Sequence, residues 1–519
     1  MTIGTWQIIF VYVVVSKNKT MSIQRSYLLG IDLGTSSLRS AIIDRKGGIV
    51  GIVGKEYPTL TPCSDWAEQD VDDWWNALRA TVKTLLDKYR INSNQISAIG
   101  LSGQMHGTVL VDKNGRPVYN AIPWVDKRSS AQCSLLKKKI GEKRLYAITG
   151  SPVFPGFMAA SLLWVKKERP DLFKRVYRVL SPKDYLRYRL TGEFFAEPTD
   201  GCATLLMDVK KKKWSPHILS KAGIPSSILP EIIESADIAG RITSQAARQT
   251  GLSAGTLVIA GGGDQAMGAI GCGIIKEGVA ASTIGTGGQF TTVVSSPVID
   301  TKRRIHTLCH ALPGKWILMG ATLSAGMSLK WFRDNFAHAR GESYGKLDRE
   351  AEKIVPGCGG LMFLPYLIGE RTPHMDSQIR GGFFGLSVVH GRSHMIRAIM
   401  EGVAYSMKES LDIFSEMGMN IKKIVASGGG GKSNLWRQIQ ADIYGRNIYT
   451  LNHSEHSVYG AALLAGITAG TFTNAEQACR TNTVYSLANR PVSANSAKYK
   501  DYYKLYRRAY PLLKRAAYK

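Results

Sequence analysis

Gly261-Gly-Gly-Asp264-Gln265-Ala-Met-Gly268-Ala-Ile-Gly271-Cys-Gly273 follows directly on the apolar run Leu257-Val258-Ile259-Ala260. The run reads as a buried strand bounded by turn residues. The glycines after it let backbone approach backbone or ligand closely, at an entropic cost that a plain loop would not need. One carboxylate, Asp264, stands among them at the carboxyl end of the strand, which is where open α/β sheets place ligands. An acid so placed can accept a hydroxyl proton as a general base. It could equally cap a helix beginning near Gln265. The rest of the chain has to decide between the two.

Working outward, Tyr27 to Ile31 is a second apolar strand, and it feeds the turn Asp32-Leu-Gly34-Thr35-Ser36-Ser37-Leu-Arg39. Ser40 to Asp44 resumes as a strand, Lys46-Gly47-Gly48 turns, and Ile49 to Val53 makes a third. A hairpin tip with a glycine and hydroxyls can hold phosphate through backbone N–H groups. Its acid, Asp32, can meanwhile hold a hydrated Mg²⁺, which prefers oxygen ligands and keeps several waters. An ordinary hairpin turn would read the same way. No G-x-x-x-x-G-K-[ST] run precedes a helix here, so phosphate would be gripped by hairpins rather than by a P-loop. A second strand-then-G-T-G turn recurs at Gly285-Thr286-Gly287, about 250 residues on, which is a domain-sized interval.

Three further stretches carry chemistry. The strand Ile96 to Gly103 ends in Gln104-Met105-His106-Gly107. Gln104 and His106 can both donate and accept hydrogen bonds, as a polyol or keto-sugar requires. Trp124 and Asp126 follow, as an apolar wall for sugar C–H faces and an acceptor for hydroxyls, or as a core tryptophan beside an ion pair. Ser427 is followed by four glycines, Gly428 to Gly431, and Lys432-Ser433-Asn434 opens a helix. Such a helix start offers unpaired N–H groups, and the glycines allow a flat adenine or ribose to lie against the backbone.

At 519 residues the chain exceeds one core. Apolar content of 44% with 21% charged residues describes an ordinary globular protein. Seven scattered cysteines without a C-x-x-C pair argue against a disulfide framework or zinc site and fit a reducing compartment. The formal net charge of +27 permits attraction to polyanions. The basic residues are spread along the chain, so no specific nucleic-acid partner is expected. The terminal tyrosines Tyr499, Tyr503, Tyr506 and Tyr510 recur at helical spacing and predict a docked amphipathic helix. Ile8 to Val15 is too short an apolar run to span a bilayer, and no basic region precedes it as in a secretory signal. No membrane partner is expected, and residues 1–20 read as a dispensable extension.

Taken together these residues resemble the FGGY carbohydrate kinases of the actin–hexokinase–Hsp70 superfamily, from about Tyr27 onward. The most specific elements are Ser102 to Gly107, Gly262 to Gln265, Ser324 to Asp334 and Phe363 to Pro373. The Gln-Met-His-Gly element resembles the branch that acts on xylulose. The resemblance implies an α/β fold of two ribonuclease-H-like domains, 25–275 and 276–519, with a catalytic cleft between them and 1–24 outside. It implies ATP-dependent phosphorylation of D-xylulose to D-xylulose 5-phosphate in D-xylose catabolism, in the cytoplasm, by a monomer or homodimer. By the same resemblance Asp264 is the base, with Gln104, Met105, His106, Trp124, Asp126 and Gln265 around the sugar. Asp32 holds Mg²⁺ through water. Thr35, Ser36, Arg39, Gly285, Thr286 and Gly287 meet the phosphates of ATP, and Gly429, Gly430, Ser433 and Asn434 meet its adenosine. A kinase for ribulose, gluconate or glycerol, or a non-catalytic sugar binder of the same fold, stays open.

Overall fold

The computed structural model describes residues 26–336, 341–480 and 483–517. The expectation for residues 1–24 lies outside the described residues.

The expected strand-turn-strand pattern builds two sheets of seven strands each. In the first, β1 (Tyr27–Leu33), β2 (Ser37–Asp44) and β3 (Ile49–Glu56) form an antiparallel meander, and β4 (Ile96–Gly103) pairs parallel with β1. Then β5 (Ile238–Arg241) joins antiparallel to β6 (Leu257–Ile259), which lies parallel to β4. The short β7 (Gly262–Gly263) continues beside Ser102 and Gly103 of β4. The order is β5-β6-β4-β1-β2-β3. The second sheet uses β8 (Val279–Ile284), β9 (Gly288–Val294), β10 (His306–Cys309), β11 (Trp316–Thr322), β12 (Lys423–Ser427), β13 (Ile448–Thr450) and β14 (Ser486–Asn489), in the order β10-β11-β9-β8-β12-β13-β14. Its centre repeats the first: β8, β9 and β11 are antiparallel, and β12 and β13 are parallel to β8. Two copies of one ribonuclease-H-like arrangement therefore face each other. The first meander has the three strands read from the sequence, and the second likewise has three.

Two helices lie between the sheets. α1 (Asp264–Gly271) leaves the first sheet, and α2 (His456–Thr468) follows β13 of the second. Val458 to Gly466 are buried on every side of α2, as expected for a helix with apolar layers on both flanks. Leu28 and Ala98 of the first sheet, Ala281 and Val425 of the second, and Ile270 and Leu463 of the helices belong to one continuous apolar cluster. The helix backbones can come this close only through glycine: a Cβ on Gly460 would lie 1.9 Å from the Met267 carbonyl oxygen, and one on Gly100 would lie 1.9 Å from that of Ala461. The tail folds as its tyrosine spacing predicts. In α3 (Ser493–Ala517) Tyr499, Tyr503 and Tyr506 are buried, while Tyr510 stacks on His374 at 3.5 Å.

The crossing makes a direct prediction. Gly460→Ala should cost at least the roughly 1–3 kcal/mol of an overpacked core, read as a lower thermal midpoint. Gly345→Ala, in a helix where the nearest atom to the added methyl is 3.8 Å away, should leave the midpoint unchanged or slightly raised. Equal midpoints for the two variants would contradict the backbone crossing.

Candidate active site

Asp264 is the first residue of α1, and the cap position belongs to Gly263, which has no side chain to give. The helix-cap alternative is therefore not what the structure shows. The lead into Asp264 is clamped from below by a fully buried charged network. Lys183 Nζ and Arg187 Nη1 both donate to the Ala260 carbonyl, at 3.3 and 3.0 Å. The Gly263 N–H donates to Thr199 Oγ1 at 2.7 Å, and that hydroxyl donates to Glu197 Oε1 at 2.9 Å. Lys183 is paired with Asp184, Glu197 and Asp200. Pairing of this kind offsets much of the cost of burying charge. Burial pushes Asp200, beside Gly263 and Met105, well above the usual carboxylate range.

At the mouth of this network Asp264 itself is raised to about 7, first by burial and then by the charge of Asp32, with Gln265 pulling the other way. Asp32, near the end of β1, is also raised by burial, against a hydrogen bond from Ser102 and the charge of Arg39. Its Oδ1 is buried without a hydrogen-bond partner. Arg39, on β2, reaches across to Glu455 at 2.6 Å, just ahead of α2. Asp32, Arg39, Asp264, Gln265, Glu455 and Ser457 line one cavity of about 210 Å³. Ser457 Oγ donates to the Asp264 carbonyl at 3.1 Å, tying the starts of α1 and α2 together. Two helix N-termini thus face the same small space, a setting that favours anions.

A second chamber of about 550 Å³ opens next to it. Gly285, Thr286, Gly429, Gly430 and Ser433 line it, together with Met327, Tyr344, Asp348 and Trp436. The two spaces meet along consecutive residues: Thr283 and Gly428 line the first, and Ile284 and Gly429 line the second. Each hairpin tip is closed by a backbone bond from its first glycine, Gly34 N–H donating to the Ser37 carbonyl and Gly285 N–H to that of Gly287. Ser36 is exposed at its tip and Gly287 lies just outside the chamber lining. Ser433 caps the helix Asn434–Tyr444, accepting from Trp436 N–H at 3.0 Å. Asn434 turns away from the chamber, its Oδ1 accepting from Arg437 and Asn489.

The acceptor-side residues follow from β4. Gln104 is buried, donating to Gln69 at 2.8 Å, with its own Oε1 left without a partner. Met105 packs under Gly263. His106 adopts φ 71°, stacks on Phe157 at 3.7 Å and holds its Nδ1 at 2.7 Å from the Ala203 carbonyl. Burial pushes its pKa down to about 3, so the ring is neutral. Its Nδ1 carries the proton and its Nε2 a lone pair. Trp124 is half-buried and donates to Thr35 Oγ1 at 3.0 Å, linking the acceptor side to the first hairpin tip. Asp126 is buried instead, accepting from the Ala67 and Arg128 backbones and pairing with Arg128 Nε at 2.8 Å. It fixes the turn that carries Trp124 and lies behind the indole.

Comparison with known proteins gives the arrangement its place. The model of the FGGY family of carbohydrate kinases, N-terminal domain, matches residues 27–271, and that of the C-terminal domain matches 280–469. The chain belongs to this family. It is 38% identical to the xylulose kinase of Bacillus subtilis over 484 residues, covering 93% of this chain and 96% of the relative. It is 32% identical to the gluconokinase of the same organism, covering 85% and 87%. The crystal structure of ligand-bound xylulose kinase from Lactobacillus acidophilus superimposes with a TM-score of 0.89 at 26% identity, over 95% of this chain and 99% of that one. The protein is an ATP-dependent carbohydrate kinase.

For such a kinase the structure adds residues that the sequence did not single out. Asp348, Tyr344 and Trp436 join the larger chamber, and Glu455 and Ser457 the smaller. Lys183 and Asp184 are the buried core of the clamp under Asp264. Thr199 is its most exposed weakness to mutation. Thr199→Val keeps the shape but leaves the Gly263 N–H without its acceptor. It should cost about 1–3 kcal/mol of stability and lower kcat more than either KM. A kcat equal to wild type would show that the clamp does not position Asp264.

Proposed function

We propose that this chain transfers the γ-phosphoryl group of ATP to the terminal hydroxyl of D-xylulose, giving D-xylulose 5-phosphate and ADP. The observation that carries the proposal is Asp264, a carboxylate raised to about 7 in the smaller chamber, which adjoins the larger one. Adenosine lies in the larger chamber against Gly429, Gly430 and Ser433. The phosphates run along Gly285-Thr286-Gly287 toward Thr35, Ser36 and Arg39. The sugar lies between Trp124, Met105, His106 and Gln265. Gln104 offers it the free Oε1, and Asp126 fixes the turn that carries Trp124.

As O5 bonds to the γ-phosphorus and the bond to the ADP oxygen breaks, Asp264 takes the O5 proton. At and above a pH of about 7 it is ionised and able to do so. Phosphoryl transfer needs little more from the protein than positioning and charge neutralisation. The starts of α1 and α2 and Arg39 supply positive potential where negative charge gathers. For Arg39 to turn to phosphate it must leave Glu455, an ion pair between partly exposed groups that holds weakly. Closure of the two halves would exclude water, which otherwise takes the phosphoryl group.

The donor set also fits Mg²⁺. Asp32 Oδ1 is buried without a partner, and the charge of Asp32 raises Asp264 as a nearby like charge does. Among the described residues no cluster of three or more His, Cys, Asp or Glu could hold a metal by itself. Asp32 would therefore hold a hydrated ion that shares its remaining sites with water and phosphate. When bound, Mg²⁺ supplies neutralisation of the phosphate oxygens. No helix among the described residues is long and apolar enough to cross a membrane. The seven cysteines are all free, which suits the reducing cytoplasm.

ADP release measured with ATP-Mg²⁺ over a panel of D-xylulose, ribulose, gluconate and glycerol tests the assignment. D-Xylulose should give the highest kcat/KM. Background rates on D-xylulose beside robust turnover of gluconate or glycerol would transfer the function to that acceptor. Background rates on all four would leave the fold without the activity.

A further inference from the structure

Arg371 belongs to the second half of the chain, yet its side chain lies against the first. The backbone explains why. Thr372 N–H donates to the Ala321 carbonyl and Thr372 Oγ1 accepts from Ala321 N–H, which lays the segment along the end of β11. The preceding Glu370 turns inward, where Thr322, Ser406 and the N–H groups of Leu323 and Arg371 take up both its oxygens. Alternation along an extended segment then sends the Arg371 side chain outward, to the cleft. There its guanidinium carbon lies 4.6 Å from the Phe154 ring centre and 5.9 Å from that of Trp124. Phe154 packs on Phe157 at 5.9 Å, and Phe157 stacks on His106. Arg371 therefore stands over the same wall that the acceptor is proposed to meet.

What it does there is marked by what it lacks. Among the described residues no carboxylate pairs with it and no acceptor takes any of its side-chain N–H groups. The guanidinium has five such donors in a rigid fork. Burial alone draws its pKa down to about 10, with only Glu370 opposing. Its charge also bears on His106 and on His306, whose Nε2 is buried and without a partner. An unpaired, desolvated cation is costly to keep. Stacking on two aromatic rings offsets part of that cost, but it uses none of the donors.

We propose that Arg371 binds the acceptor sugar directly, donating to its hydroxyl oxygens from the second half of the chain while Trp124 and His106 hold it from the first. The acceptor site is then shared by both halves, and specificity depends on how they meet. The inference rests on the placement of the acceptor given above.

The test begins with the wild-type acceptor panel, which fixes the sugar to be used. If that sugar is not D-xylulose, the acceptor assignment falls and Arg371 is judged on the sugar that is turned over. Arg371→Gln and Arg371→Lys are then compared with wild type for both KM values, kcat and thermal midpoint. Removing a charged donor should raise the sugar KM by about 10- to 100-fold, with the ATP KM within about twofold. Lys, which keeps the charge but not the fork, should recover part of the loss. Calorimetric titration of the sugar into ATP-free protein should show the same weakening. An unchanged sugar KM, whether kcat falls or not, would overturn the proposal. So would a parallel rise in both KM values, or a lowered midpoint in both variants with sugar binding intact.

Discussion

The close crossing of α1 and α2 between the two sheets is the constraint on which the rest depends. Both helices are short of side-chain bulk where they touch, so their backbones meet across Gly460 and Met267, and α2 lies against β4 through Gly100. Bringing the axes together brings their first residues together as well. Asp264 begins one helix and His456 the other, and Ser457 bonds the Asp264 carbonyl. A single packing decision thus sets Asp264, aims two helix N-termini at one space, and joins two similar sheets into one continuous core.

Electrostatics then divides the labour among three carboxylates. Asp264 and Asp32 are both raised by burial, the charge of Asp32 raises Asp264 further, and among the described residues neither makes an ion pair with a cation. Glu455 is paired, with Arg39. The arrangement is poised rather than relaxed: it holds unneutralised negative charge beside a cation that a competing anion could take. In the proposed reaction an ATP phosphate chain with its metal would supply both missing partners. By contrast, Lys183, Arg187, Asp184 and Glu197 beneath the site are paired by contacts between opposite charges. They behave as a rigid floor, and the reactive charges rest on it.

Much of this was legible in the sequence. Two strand-turn-strand tips, a strand running into Gly-Gly-Asp264-Gln265, and a strand ending on four glycines are local patterns, and the structure forms each of them. What escaped depends on residues far apart in the chain. That α2 lies on β4, formed more than 350 residues earlier, is set by packing between distant segments. Asp126 has the composition of a hydroxyl binder, and only the fold shows Arg128 and Ala67 occupying its oxygens. Asn434 opens the expected helix but faces Asn489, which no local pattern announces. Arg371 stood inside a quoted motif without a role, because its role depends on which face of the other half it meets.

The central claim is that Asp264 accepts the proton of the acceptor hydroxyl, and Asp264→Asn tests it most directly. Asn keeps the volume and the hydrogen-bonding reach while removing the basic lone pair. Taking a charge away from Asp32 should not destabilise the fold, so an unchanged or raised thermal midpoint serves as the control. The account predicts that kcat falls by about 10²–10⁴-fold, with the KM for sugar and for ATP little changed. A variant that keeps more than about a tenth of the wild-type kcat would contradict it.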